Sequence, residues 1–109
     1  MNGFAFEKIP EFDGHKRVSF FYDHAAGLRA FVAVHNDNLG PATGGTRMLN
    51  YASEVDALRD ALNLAKAMTY KCALAGVPYG GSKGVIIGDP NREKTPALLK
   101  AYARSFNYL

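Results

Sequence analysis

The sequence predicts a single α/β domain, a mixed β-sheet flanked by helices, with the domain taken as residues 1 to 109. Three observations carry that expectation. Two β-rich runs near the start are separated by a short glycine turn. A long stretch then repeats apolar residues every three or four positions. A brief apolar run and a second helical pattern follow. Strands interleaved with helices make an α/β layer. A hairpin at the start means that the sheet cannot be wholly parallel.

Residues 17 to 23 (RVSFFYD) and 28 to 34 (LRAFVAV) are the two runs, and His24-Ala25-Ala26-Gly27 joins them. Gly27 is free to take positive φ, so the pair reads as a hairpin. Phe31, Val32 and Val34 imply burial of at least one face of its second strand. From Asn36 to Tyr51 the chain is rich in glycine and short polar residues and reads as a loop. Ser53 is placed to cap a long helix that Gly76 ends, with Asp56 adding negative charge in the first turn. Val55, Leu58, Leu62, Ala65, Met68 and Cys72 recur along it at helical spacing. A second glycine-rich loop, VPYGGSKG, leads to a short buried strand at 85 to 87, and Gly88-Asp89-Pro90-Asn91 turns the chain. Thr95 and Pro96 stand at the N-cap and first helical positions of a last helix, 96 to 108. Its stripe of Leu98, Leu99, Tyr102 and Phe106 runs to Leu109 with no capping residue, an ending expected at a boundary inside a larger protein.

Composition narrows the function classes. With 48% hydrophobic and 21% charged residues the chain is an ordinary globular sequence, and no run approaches the length of a membrane span. The opening MNGFAFEKIPEF lacks the basic and apolar regions of a secretory signal. One cysteine, Cys72, excludes an internal disulfide framework and fits a cytoplasmic protein, with the thiol expected as a small buried hydrophobe. The net charge of +3 is scattered, without aromatic residues interleaved among the cations, so no nucleic-acid partner is expected. His15, His24 and His35 have no neighbours at ligand spacing, and no metal is expected. Tyr70 and Tyr79 read as packing aromatics, with a wall of the pocket as the alternative for Tyr79, and Arg47 reads as an anchor for its loop.

Two glycine-rich segments bracket the long helix and are the candidates for chemistry. They are Gly40 to Met48 (GPATGGTRM) and Gly80 to Gly84 (GGSKG). Glycines let a backbone approach a small ligand closely. Lys83 has no adjacent carboxylate, and Lys71 lies in the last turns of the helix, so both amines can address one cavity. Two ammonium groups in a partly dry site oppose one another's charge. One can then hold a carboxylate while the other serves as a base. That division suits an α-amino or α-keto acid. A phosphate loop is set aside for GVPYGGSKG, because Ser82 precedes Lys83 and a strand follows instead of a helix. No G-x-G-x-x-G appears either, so no cofactor-binding residues are expected in this chain.

GPATGGTRM, AMTYKCALAG and PYGGSKGVIIGDP resemble, in that order and spacing, the N-terminal domain of the glutamate, leucine, phenylalanine and valine dehydrogenases, nearest the leucine/valine branch. The likeness runs from about residue 10 to the end. It implies an enzyme that interconverts an apolar L-amino acid with its 2-oxo acid and ammonia. NAD or NADP would be held by a separate C-terminal half. Carried over by motif, Lys83 would be the catalytic lysine and Lys71 would bind the α-carboxylate. Gly44 and Gly45 would line the substrate pocket with Met68 beside it. A catalytic aspartate of the family falls beyond Leu109, so the chain alone is expected to be inactive. The resemblance also implies a homo-oligomer, with the N-terminal strands as its edges. Thr43 stands where leucine-type enzymes often have an apolar residue and glutamate-type enzymes a lysine, which speaks against glutamate as substrate. The alternative function is a stand-alone oligomerising or small-acid-binding module without catalysis, although a scaffold needs neither lysine.

Overall fold

A computed structural model describes Ala5 and residues 8 to 109. Half of the N-terminal stretch read for a secretory signal lies outside the described residues. Strands β1 (Arg17–Asp23) and β2 (Leu28–Asn36) form the expected antiparallel hairpin, with Phe20 opposite Phe31 and Gly27 at φ 74° in the turn. β2 continues past Val34 through an irregularity in its pairing and ends at Asn36.

Helix α1 (Glu54–Ala75) begins and ends where the sequence places it. The Ser53 hydroxyl accepts from the Asp56 N–H, and Gly76 turns left-handed at φ 72°. Ala57, Leu58, Ala61, Leu62, Ala65 and Cys72 make its buried stripe, and Cys72 is the small buried residue expected.

The two glycine-rich segments differ from expectation. β5 (Gly80–Ile87) starts five residues before the strand read at 85 to 87, so GGSKG is extended strand and not loop. None of its glycines has positive φ. They are there for closeness. A Cβ on Gly81 would lie 2.2 Å from the Thr69 nitrogen and 2.3 Å from the Ala65 carbonyl, and one on Gly80 would lie 1.8 Å from the Asn36 carbonyl. The segment read as a loop from 36 to 51 likewise holds β3 (Ala42–Thr43) and β4 (Thr46–Leu49), both parallel to β5. The pairing offset is the same on either side, so β3 and β4 are one strand interrupted at Gly44–Gly45. β4, α1 and β5 therefore make a βαβ crossover, which parallel neighbours require.

The sheet runs β1-β2-β5, with β3 and β4 along the far side of β5. Strand alternation sends Ala33, Val85 and Ile87 toward α1, where they pack with Leu58 and Leu62. It sends Ala30, Val32 and Ile86 the other way, onto Leu98, Ala101 and Tyr102 of α2 (Pro96–Ser105). Each fully buried Leu or Ile contributes about 1.5–3 kcal/mol. Thr95 caps α2 ahead of Pro96, as expected. The α-helical part stops at Ser105, short of 108, and Phe106–Tyr108 tighten into a 3-10 turn that takes up the last carbonyls. Among the described residues, no helix is long and apolar enough to cross a membrane.

Candidate functional site

Lys83 lies in the middle of β5, opposite Ala33 of β2. It shares strand parity with Val85 and Ile87, so its side chain leaves the sheet on the α1 side. There it is half-buried. Its Nζ is 3.8 Å from the point a Cβ on Gly45 would occupy. Gly44 passes closer still, since a Cβ there would lie 1.7 Å from the Ser82 carbonyl. The Gly84 N–H bonds to the Gly45 carbonyl at 3.1 Å, and the Gly80 N–H to the Pro41 carbonyl at 3.1 Å. The segment is thereby held to β5 ahead of β3 and at the end of the interruption, leaving a bare stretch of backbone beside one amine.

The helix adds the second amine. Asp60, Leu64, Met68 and Lys71 fall on one stripe of α1 by their four- and three-residue steps. Asp60 fixes where that stripe faces. Its carboxylate takes the Arg47 guanidinium of β4 at 3.1 Å and also the Tyr51 hydroxyl. Burial first, and then the Asp60 carboxylate, keep the Tyr51 hydroxyl protonated well above the ordinary phenol range. Arg47 is thus the anchor expected of it. The stripe turns toward the β3–β4 side of the sheet, with Met68 half-buried and Lys71 exposed. Lys83, Gly44, Gly45, Met68 and Lys71 consequently share one flank of the domain.

A cavity of about 580 Å³ opens on the opposite, α2 face of the sheet. Thr43, Gly44, Gly45, Ser82 and Tyr102 line part of it, whereas Lys71, Lys83 and Met68 do not. The Tyr102 hydroxyl is 2.8 Å from Thr46 Oγ1, and a Cβ on Gly84 would come within 1.9 Å of it. Burial pushes the Tyr102 hydroxyl up from its usual value. The glycine pair therefore has the Lys83 amine on one face and, on the other, a cavity with the Tyr102 hydroxyl.

Sequence reasoning missed a buried polar cluster on the other flank of α1. His15 and His35 are both buried, with ring centroids 4.8 Å apart in an edge-on contact. His15 Nε2 donates to the Leu62 carbonyl at 2.8 Å, and its Nδ1 accepts the Asp13 N–H at 3.1 Å. His35 lies 2.9 Å from the Asp13 carboxylate through Nε2 and 2.8 Å from the Thr69 hydroxyl through Nδ1. Lys66 approaches the same carboxylate at 3.7 Å. The His35 bond, and next the Lys66 charge, hold the Asp13 carboxyl below its usual range. The sequence signal was thin, a D-x-H step at 13 to 15 with its partners about twenty and fifty residues away. The two tyrosines read as packing aromatics lie outside the core. Tyr70, 53% exposed, packs only at the surface, with its ring 6.3 Å from that of His35 and the Lys66 amine 5.8 Å over it, and Tyr79 is 45% exposed in the loop that leaves α1. Among the described residues, no group of three or more His, Cys, Asp or Glu could hold a metal ion.

Comparison with known proteins gives concordant findings. A family profile described as "Glu/Leu/Phe/Val dehydrogenase, dimerisation domain" matches residues 15–109. The chain is 51% identical over 104 residues to phenylalanine dehydrogenase of Caldalkalibacillus thermarum, which covers 95% of this chain and 27% of that protein. It is 55% identical over 91 residues to valine dehydrogenase of Streptomyces coelicolor, covering 84% of the one and 25% of the other. Among solved structures it is similar to L-tryptophan dehydrogenase from Nostoc punctiforme, with a TM-score of 0.82 and 46% identity over 87% of this chain and 28% of that one. The chain thus spans about a quarter of the length of the relatives it matches.

Proposed function

Since the chain belongs to the Glu/Leu/Phe/Val dehydrogenase family, as its N-terminal dimerisation domain, we propose that it is the substrate-binding half of an NAD- or NADP-dependent dehydrogenase for apolar L-amino acids. The observation that supports this most is Lys83. A half-buried amine stands against bare glycine backbone, on the same flank as the Met68–Lys71 stripe. Lys71, more exposed, holds the substrate α-carboxylate as a point charge. Lys83 passes a proton to and from the α-carbon's oxygen or nitrogen substituent as water adds and ammonia leaves. Gly44 and Gly45 let the substrate backbone lie flat beside that amine, and Met68 closes the wall. Thr43 offers no charge for a side-chain carboxylate, which favours leucine, valine or phenylalanine over glutamate.

These residues do not fit a dinucleotide. The glycines of 80 to 84 are extended in β5 and do not lead into a helix N-terminus that could take a pyrophosphate. The nicotinamide cofactor is therefore assigned outside this chain. The protein is proposed to be cytoplasmic, in keeping with its single buried cysteine. It is also proposed to assemble as a homo-oligomer through the β1 edge, which among the described residues pairs on one side only.

The test is turnover by the full-length protein, followed as reduced nicotinamide, with leucine, valine, phenylalanine and glutamate in turn. Activity with one or more of the apolar three and little with glutamate is expected. A folded full-length protein inert toward all of them contradicts the reading and leaves a binding module in its place.

A further inference from the structure

Resting on that reading of the two lysines, we propose that His35 is a positioning residue. Through Thr69 it pins the Met68–Lys71 turn of α1 at a fixed height above the Gly81–Lys83 segment of β5. The pin is directional where its surroundings are not. β5 is held by hydrogen-bond ladders on both sides, to β2 and to β3–β4, so Lys83 has a defined place in the sheet. α1 rests on the sheet chiefly through apolar contacts, which do not by themselves fix a position along the helix axis. Its last turn is held lightly, with Leu74 90% exposed and the buried Cys72 thiol only a weak donor to the Gly80 carbonyl at 4.0 Å. Arg47 grips α1 at Asp60, far from Lys71. Thr69, two residues before Lys71, is the point at which a strong directional bond reaches this end of the helix.

The imidazole is itself held on three sides. The Asp13 carboxylate can only accept, so His35 Nε2 carries a proton toward it, and Nδ1 is left to take the Thr69 hydroxyl. The His15 ring packs edge-on against it and is tied to α1 at the Leu62 carbonyl. One short turn of chain thus grips α1 at Leu62 and, through His35, at Thr69. On the strand side Gly81 presses directly on the same threonine, with its Cβ position 2.2 Å from the Thr69 nitrogen and 2.3 Å from Oγ1. Asn36, next to His35, is the residue that pairs with Gly81. The helix turn bearing Lys71 and the strand segment bearing Lys83 therefore meet at Thr69. An Asp–His–Thr chain also has the look of a nucleophile relay. Gly81 closes over the hydroxyl and leaves no room for a substrate, so its role is placement.

Steady-state kinetics of the full-length dehydrogenase test this with Thr69→Val, which removes the hydroxyl and conserves shape, beside Thr69→Ser, which keeps it. Because Lys71 moves and Lys83 does not, Thr69→Val is expected to raise KM for the amino acid about tenfold with kcat changed less than about twofold. Thr69→Ser is expected to restore the wild-type KM. Thr69→Ala against Thr69→Ser makes the same comparison if valine is too bulky beside Gly81. An unaltered KM in the hydroxyl-free variants overturns the proposal, as does an equal change in the serine and hydroxyl-free proteins. Lys83→Ala measured alongside separates the two levels. If it turns over normally, the reading of the lysines fails; if it is inactive while Thr69→Val is unchanged, only the role of His35 fails.

Discussion

His15 shows how much one side chain's bonding pattern determines. Nε2 donates to Leu62 and Nδ1 accepts from the Asp13 backbone, so both nitrogens are satisfied only in the neutral ring. A second ring proton would face an N–H. Burial, the largest cause, lowers its pKa, and the neighbouring His35 adds to this, while the Leu62 bond opposes it. The folded state therefore binds this proton less readily than the unfolded chain does. The stabilisation is fully present above the unfolded value of about 6.5 and is lost as pH falls from there through the lower folded value. Urea titrations across that window are expected to show a falling midpoint that flattens in His15→Gln. Equal slopes in both proteins would contradict the assignment. The loss belonging to Asp13 comes at lower pH, since its carboxyl is held below the usual carboxylate range. None of this was legible in the sequence, because the contacts of His15 and His35 join residues that only the fold brings together.

At the scale of elements, legibility followed local chemistry. Ser53, Gly76, Thr95 and Gly27 each satisfy a backbone requirement within a few residues, and the boundaries they mark were readable. The extended glycine segments were not. Gly44, Gly45, Gly80 and Gly81 serve non-local closeness, and composition alone reads such runs as loops. The same distances predict opposite outcomes for two substitutions. Gly81→Ala sets a methyl group against helix backbone that cannot yield, and a loss of about 1–3 kcal/mol in unfolding free energy is expected. Gly45→Ala meets only the Lys83 amine, at ordinary contact distance, so stability should change by less than about 0.5 kcal/mol while activity of the full-length enzyme falls. Chemical denaturation of both variants checks the pair, and equal destabilisation would show that the interruption at Gly44–Gly45 is as tightly packed as the start of β5.

For the molecule as a whole, the α/β class and its mixed sheet followed from the hairpin and the long helix. The three ordered motifs led to the family. Two features lay beyond those signals: the continuation of β3 through β4 beside β5, and the placing of the Lys83 amine and the hydroxyl-lined cavity on opposite faces of the glycine pair. Among the described residues the outer edge of β1 has no partner strand, and with Phe20 and Tyr22 exposed it is the kind of surface that proteins cover by pairing. Sedimentation of the full-length protein is accordingly expected to give a dimer or a multiple of it, and a monomer at micromolar concentration would contradict assembly through that edge. The central claim concerns Lys83, and the most direct measurement is kcat of full-length Lys83→Ala with its preferred amino acid. A fall of about a hundredfold or more, with the folded state intact by circular dichroism, is the expected result. Turnover at the wild-type rate would contradict it.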